Sequence, residues 1–272
     1  MDMDRQQKAE FLEVLWGYYT KQGRDNLLWR QPENDDSFDP YKIMVSELML
    51  QQTQVNRVTS KYTSFLKDFP TLSALATAEL GDVLRAWQGL GYNRRAKFLW
   101  QAAQKIHAQQ SFPRTHEGLV ALPGIGPNTA GAIMAYAFNS PVVFIETNIR
   151  TVFIHHFFPG VEHVHDADIK RLVEQTLDHE NPREFYWALM DYGSHLKSTI
   201  GNLNKASKHY TKQSKFEGSK RQIRGAVLRL LGNKEYTASE IADQISDERL
   251  ESVLSELQSE GLIAERDGVF RL

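Results

Sequence analysis

Residues 122–131 read LPGIGPNTAG. Gly124 and Gly126 permit a sharp turn and a close backbone approach, because a residue without Cβ enters backbone regions closed to other side chains. With its flanks the stretch predicts a short helix, a tight glycine-rich turn and a second helix. Amides leading into a helix N-terminus point outward and can bind an anion. A contact of that kind holds a phosphate without reading base sequence. A Gly-x-Gly turn alone fits ordinary helix packing, whereas the longer string LPGIGxxTAxAI is far more specific.

Outward from this turn the pattern is helical. Downstream, ETNIRTVFIHHFF, DADIKRLVEQTL and NPREFYWALMDYGSHL each predict a helix. Upstream, residues 9–21 place Phe11, Leu12, Leu15, Trp16 and Tyr19 on one helical face. After a loop rich in Asp, Asn and Pro, one long helix is predicted from Pro40 through YKIMVSELMLQQTQVNRVTSKYTSFLKDF, since Pro is favourable at a helix start. LSALATAELGDVLRAWQ, RRAKFLWQAAQKIHAQQ and THEGLVAL complete the set. Period-two strands are almost absent, so the fold class is all-α.

Composition narrows the function. The 272 residues are 41% hydrophobic, enough for a substantial core, and no apolar run is long enough to span a bilayer. There is no cysteine, which excludes disulfides, thiolate metal sites and cysteine nucleophiles. MDMDRQQKAEF is too acidic and polar for a signal peptide, so a cytoplasmic protein is expected. A net charge of −2 advertises no polyanion, so a nucleic acid would be held by local basic patches.

One such patch is evident. Residues 197–224 carry eight Lys or Arg against Glu217, a charge of +7, and residues 225–272 carry five basic and ten acidic residues, a charge of −5. The change predicts a boundary near Phe216. Beyond it, three helical runs and two short apolar runs around Asp267-Gly268 resemble a winged helix-turn-helix. The third helical run is acidic and would repel phosphates, so this domain is expected to serve structure or a protein partner.

The hairpin string, FIETNIRTV at its spacing downstream, DPYKIMVSELMLQQTQV and WQGLGYNRRAKFL together resemble the helix-hairpin-helix DNA glycosylases, the MutY-type adenine glycosylases in particular. The likeness runs from about Phe11 to about Leu196. It implies a two-lobed fold: a six-helix barrel with the hairpin (residues 40–146), a second helical lobe (1–39 with 147–215), and the winged-helix-like tail (216–272). The tail does not resemble the Nudix-like domain with which MutY-type enzymes recognise 8-oxoguanine.

The implied function is a monofunctional DNA glycosylase of base excision repair, associated with the nucleoid. It would act on double-stranded DNA and hydrolyse the N-glycosidic bond of a flipped mispaired or damaged base, adenine first. The alternatives are a mismatch thymine or uracil or other damaged-base glycosylase, and a non-catalytic lesion-binding protein.

Excising a flipped base suits two carboxyl groups in different protonation states. The resemblance puts Glu47 at the general-acid position, where its neighbours Val45, Leu48, Met49 and Leu50 would favour the neutral form by desolvation. Glu146 falls where the family has a catalytic Asp; the extra methylene shifts the carboxylate by ~1.5 Å, and errors of that order can cost about 100-fold. As ETNIR opens a helix, Glu146 could equally be an N-cap. Asn148 matches a residue supporting that carboxylate and the sugar. Asn128 replaces the Lys that lyase members use, so no Schiff base is expected.

Gln52 and Tyr92 correspond to residues that enter the duplex beside the flipped nucleotide. Leu122, Gly124, Gly126 and Thr129 are the hairpin contacts, and Arg30 matches a base-pocket residue. Lys197, Asn204, Ser207 and Gln213 stand at the spacings of the family's iron–sulfur cysteines and cannot bind iron well. No cofactor is expected, a monovalent cation at the hairpin apart. His155, His156, His163, His165, Asp166 and Asp168 lack closed metal-ligand spacing and are expected at the surface.

Overall fold

The computed structural model describes residues 3–272. In chain order its helices are α1 (Arg5–Gln22), α2 (Pro40–Leu50), α3 (Val55–Asp68), α4 (Leu72–Ala76), α5 (Leu80–Trp87), α6 (Arg94–Gln109), α7 (His116–Val120), α8 (Pro127–Phe138), α9 (Thr147–Phe157), α10 (Asp166–Thr176), α11 (Pro182–Thr199), α12 (Lys220–Leu231), α13 (Ala238–Gln244) and α14 (Leu250–Ser259). Strands β1 (Tyr236–Thr237), β2 (Ala264–Arg266) and β3 (Val269–Arg271) form one small antiparallel sheet in the order β1-β3-β2. The fold is otherwise all-α.

Two compact units emerge. The first takes the chain up to Ile43, Arg114–Val120 and Ile125–Lys212. Its centre is α9 packed along α11, with α1 and α8 also on α11 and α10 on α9. Gly193 allows the central contact: a Cβ there would collide with the Asn148 carbonyl. Phe144 and Tyr186 pack with ring centroids 4.1 Å apart. Buried Asp191 on α11 accepts two hydrogen bonds from Arg30, both 2.8 Å, and two from Arg24, at 2.7 and 2.8 Å. This arrangement satisfies a charge that would otherwise be expensive to bury.

The second unit comprises Met44–Pro113, Ala121–Gly124 and Gln213–Leu272. In it α4 and α5 pack on α6, and α3 on α5, around fully buried Phe65 and Trp87. Its C-terminal part has the expected winged-helix order, and the wing turns at Asp267 and Gly268, both left-handed at φ 53° and 77°. That pair of positive angles matches the twist of a tight hairpin. α12 packs on α14. Lys220 pairs with Glu256, and Arg224 with both Glu256 (3.5 Å) and Glu260. Glu256 of α14 and Glu260 at its end are thus paired with the bases of α12. Gln88 at the end of α5 donates to the Leu228 carbonyl at 3.4 Å, and Lys97 on α6 donates to that of Glu260.

Three sequence expectations are corrected. The long helix from Pro40 breaks after Leu50 because Gln52 adopts a left-handed backbone, φ 54°, and a new helix starts at Val55. LSALATAELGDVLRAWQ divides into α4 and α5; at the break Thr77 Oγ1 bonds the Ser73 carbonyl, 2.9 Å, in the last turn of α4. β1, only two residues long, has no periodicity to reveal it.

Candidate functional site

The hairpin is built from local chemistry. Thr115 Oγ1 accepts from the Gly118 amide, 3.1 Å, at the start of α7, and His116 Nε2 lies 3.0 Å from the Pro127 carbonyl at the start of α8. Leu122 and Ile125 are buried pegs, 3% and 4% exposed, so any duplex contact at Leu122 falls to its main chain. Thr129 is half-buried on α8. The two glycines differ. Gly124 has φ +74°, and a Cβ there would stand 2.6 Å from Phe98 Cβ. Gly126 is extended, φ −83°, and a Cβ would meet nothing within 4 Å. The turn therefore requires Gly124, while Gly126 leaves open surface for a close backbone approach.

From α8 the chain leads to Glu146. Asn128 Oδ1 accepts from the Ile145 amide at 3.5 Å, a long bond. Glu146 occupies the N-cap position of α9, φ −109° and ψ 172°, but its side chain makes no capping hydrogen bond. The carboxylate is half-buried, and burial pushes its pKa up to about 7. Asn148 Nδ2 donates to the Met190 carbonyl at 3.3 Å, in the segment that approaches Gly193. The first turn of α9 is held from outside by buried Asn204, whose Nδ2 donates to Thr151 Oγ1 (2.7 Å) and the Thr147 carbonyl (3.3 Å).

Glu47 lies in the second unit, on α2, 8% exposed among fully buried Met44, Val45, Ser46, Leu48 and Met49. The segment after it is clamped by Arg95, which sequence reading took only as part of the helix RRAKFL. Arg95 is buried between the Trp87 and Tyr92 rings, 5.4 and 5.5 Å from their centroids. Nη1 donates to the carbonyls of Leu48 (2.6 Å), Met49 (3.1 Å) and Gln51 (2.6 Å), and Nη2 to Thr53 Oγ1 (3.1 Å) and the carbonyls of Leu90 (3.2 Å) and Gly91 (3.0 Å). One guanidinium thus fixes the end of α2 and the two turns carrying Gln52 and Tyr92. Both residues have left-handed backbones, φ 54° and 47°. For non-glycine residues that conformation costs about 1–3 kcal/mol each and persists only where surroundings enforce it.

Arg30, expected in a base pocket, is 6% exposed; both terminal nitrogens bond Asp191, and its guanidinium lies 5.2 Å from the Trp187 ring centroid. At the iron–sulfur spacings, Lys197 and Gln213 are exposed, while Asn204 and Ser207 are buried. Val164 bonds the main chain on either side of Ser207: its amide donates to the Ala206 carbonyl, 2.8 Å, and its carbonyl accepts from Lys208, 3.0 Å. Lys197, Asn204, Ser207 and Gln213 offer amine, amide and hydroxyl groups and no thiolate, so these residues do not fit an iron–sulfur cluster.

His163 and His165 are exposed, but His155 and His156 are half-buried, correcting their expected surface position. His156 packs on Phe11, and burial pushes its pKa down to about 4. Asp166 pairs with Arg150 at 2.8 Å. Among the described residues no three potential metal ligands cluster, and no helix is long and apolar enough to cross a membrane.

Comparison with known proteins gives a consistent result. Residues 45–178 match the model of the HhH-GPD superfamily of base excision DNA repair proteins. The chain is 32% identical over 219 residues to an adenine DNA glycosylase of Buchnera aphidicola, covering 76% of this chain and 60% of the relative. It is 39% identical over 189 residues to one of Mycobacterium tuberculosis, covering 66% and 59%. The chain thus spans about three fifths of these relatives. Among solved structures, a thermostable thymine-DNA glycosylase shares the fold, with a TM-score of 0.62 at 22% identity over 71% of this chain and 88% of that one.

Proposed function

We propose that the chain, whose residues 45–178 match the HhH-GPD superfamily of base excision DNA repair proteins, is a monofunctional DNA glycosylase releasing mispaired adenine. The observation that supports this reading most is the chemistry around Glu146. It is a half-buried carboxylate, unused by the helix it heads, whose protonation balance lies near neutral pH. Its chain is tied by Asn128 to the helix that opens at the hairpin.

In this reading Gly126 and the first amides of α8 receive a phosphate of the substrate strand. The Glu47 carboxyl gives its proton to a ring nitrogen of the flipped base. The bond between C1′ and the base breaks, its electron pair leaves with the base, and the sugar becomes an oxocarbenium ion. Ionised Glu146 stabilises that cation. Water then adds at C1′ and loses a proton, leaving an abasic site. Asn128 offers no amine, so the strand stays uncut until alkali is added.

Labelled duplexes carrying A·G, A·8-oxoguanine, T·G and U·G pairs, incubated with excess protein and then alkali, test the reading. Release of adenine by the wild type and a loss of about 100-fold or more in Glu47→Gln are expected. Binding without release from any duplex would instead establish a lesion-binding protein.

The hairpin supplies a second expectation. Gly126→Ala should keep the wild-type melting temperature, since its Cβ meets open space, yet weaken duplex binding in fluorescence anisotropy by about tenfold, because the phosphate loses its close approach. Gly124→Ala should lower stability by about 1–3 kcal/mol through φ strain and the Phe98 contact. Equal behaviour of the two variants would remove the hairpin from the interface.

A further inference from the structure

On the second unit, four side chains from distant parts of the chain form one connected polar cluster. Gln213 Nε2 donates to Gln52 Oε1 at 3.1 Å and also contacts the Tyr92 hydroxyl. Arg221 Nη1 donates to that hydroxyl at 2.8 Å, while its Nη2 donates to the Ser214 carbonyl at 2.7 Å. Its guanidinium lies 5.9 Å from the Tyr92 ring centroid. Arg221 therefore pins the strap that carries Gln213 against Tyr92. Gln52, Tyr92 and Gln213 are all exposed, so core packing does not require the cluster. Two of its members keep left-handed backbones there, which marks a surface held in shape for contact.

We propose that Gln213, positioned by Arg221, reads the base that remains in the duplex opposite the flipped nucleotide. The inference rests on the reading that Gln52 and Tyr92 enter the duplex. A side chain bonded to both tips arrives at the same place, and Gln213 does so from the segment that leads into the winged helix. Its chemistry suits recognition: an amide presents a donor beside an acceptor and pairs with a base edge offering the complement. Guanine's major-groove edge carries two acceptors, N7 and O6. An edge with a donor next to an acceptor is the better partner for Gln213: adenine offers N6–H beside N7, and 8-oxoguanine, with a hydrogen on N7, offers N7–H beside O6, so both should be preferred to guanine.

The test uses the full chain and duplexes in which a stable abasic analogue (tetrahydrofuran) faces guanine, 8-oxoguanine, adenine or cytosine. Dissociation constants are read by fluorescence anisotropy at fixed salt. The wild type is expected to separate 8-oxoguanine from guanine by about tenfold or more, and Gln213→Ala to cut that ratio to about threefold or less. Arg221→Ala should reduce the ratio too, and Gln213→Glu, which keeps the length and loses the amide donor, should behave as Gln213→Ala. An unchanged ratio in Gln213→Ala, with or without a uniform fall in affinity, overturns the proposal, as does a wild type with no preference. Base release is scored separately. Release with an unchanged ratio removes only Gln213 from the reading; no release with an altered ratio removes the enzymatic function and leaves this assignment standing.

Discussion

Arg95→Ala is expected to lower the free energy of unfolding by about 3–5 kcal/mol, measured by urea denaturation. The variant removes a buried cation and its bonds to five main-chain carbonyls; that of Gly91 keeps the Trp87 indole (3.2 Å) and those of Gln51 and Leu90 keep Thr53 Oγ1 (3.3 and 3.5 Å), so the loss falls chiefly on Leu48 and Met49. Each acceptor left dry carries a desolvation penalty of about 1–3 kcal/mol before relaxation. Burial already pushes the Arg95 pKa down to about 10, so the group remains charged at pH 7 and its hydrogen bonds are charge-assisted. Lysine cannot replace the fork, since a single ammonium does not span both turns, and Arg95→Lys should recover less than half of the loss. Arg94→Ala is the control: Arg94 is exposed and its guanidinium lies 5.5 Å from the Phe98 ring centroid, so its effect should stay within about 0.5 kcal/mol. Duplex binding by Arg95→Ala should fall further than stability accounts for, because the turns under Gln52 and Tyr92 lose their common anchor. Matching effects of the Arg94 and Arg95 substitutions would refute the clamp.

The second large effect concerns Glu146. If its carboxylate stabilises a cation it must be ionised, and burial works against that by pushing the pKa up to about 7. The ionised fraction then rises from about one tenth at pH 6 to about nine tenths at pH 8, so single-turnover base release should climb about tenfold over that interval. Glu146→Gln should abolish the climb and slow release by about 100-fold or more. A profile that falls over the same interval in the wild type and is flat in Glu146→Gln would mean that Glu146 acts as the acid; a fall kept in Glu146→Gln would belong to loss of the proton on Glu47.

The same shift fixes the sign of a stability effect. An unfolded glutamate titrates near 4.5, so between that value and about 7 the native state binds more protons than the unfolded state. The group's contribution to stability is full below 4.5 and is lost as pH rises through 7. Glu146→Gln should therefore match the wild type near pH 4.5 and exceed its stability at pH 8, by about 1–3 kcal/mol in thermal or urea unfolding.

How much of this was legible in sequence differs from residue to residue. The helices around Phe11 and Leu15, the hairpin and the wing at Asp267-Gly268 were readable because their signals are local: a 3.6-residue period and turn residues with particular backbone needs. Gln52 and Tyr92 were singled out by resemblance, yet the left-handed backbone at Gln52 that ends α2 was hidden inside a continuous helical pattern. Glu146 could be read as a cap, and only its surroundings show that the side chain is not used as one. Arg30 matches a base-pocket residue by resemblance, but its pairing with Asp191, 161 residues away in the chain, is visible only in the fold.

Sequence by itself determined the all-α class, the helix-turn-helix at Leu122–Gly131, the winged tail and the absence of thiolate ligands. Tertiary structure decided which glycine the turn needs, the burial that raises the pKa of Glu146, the clamp at Arg95 and the Gln213–Arg221 strap. The division has one cause. Periodicity and turn chemistry are written in neighbouring side chains, whereas Arg95 bonds chiefly to main-chain carbonyls that every residue type possesses. Such a bond leaves no trace in the partner's identity, and it exists only once the fold has brought those carbonyls around one guanidinium.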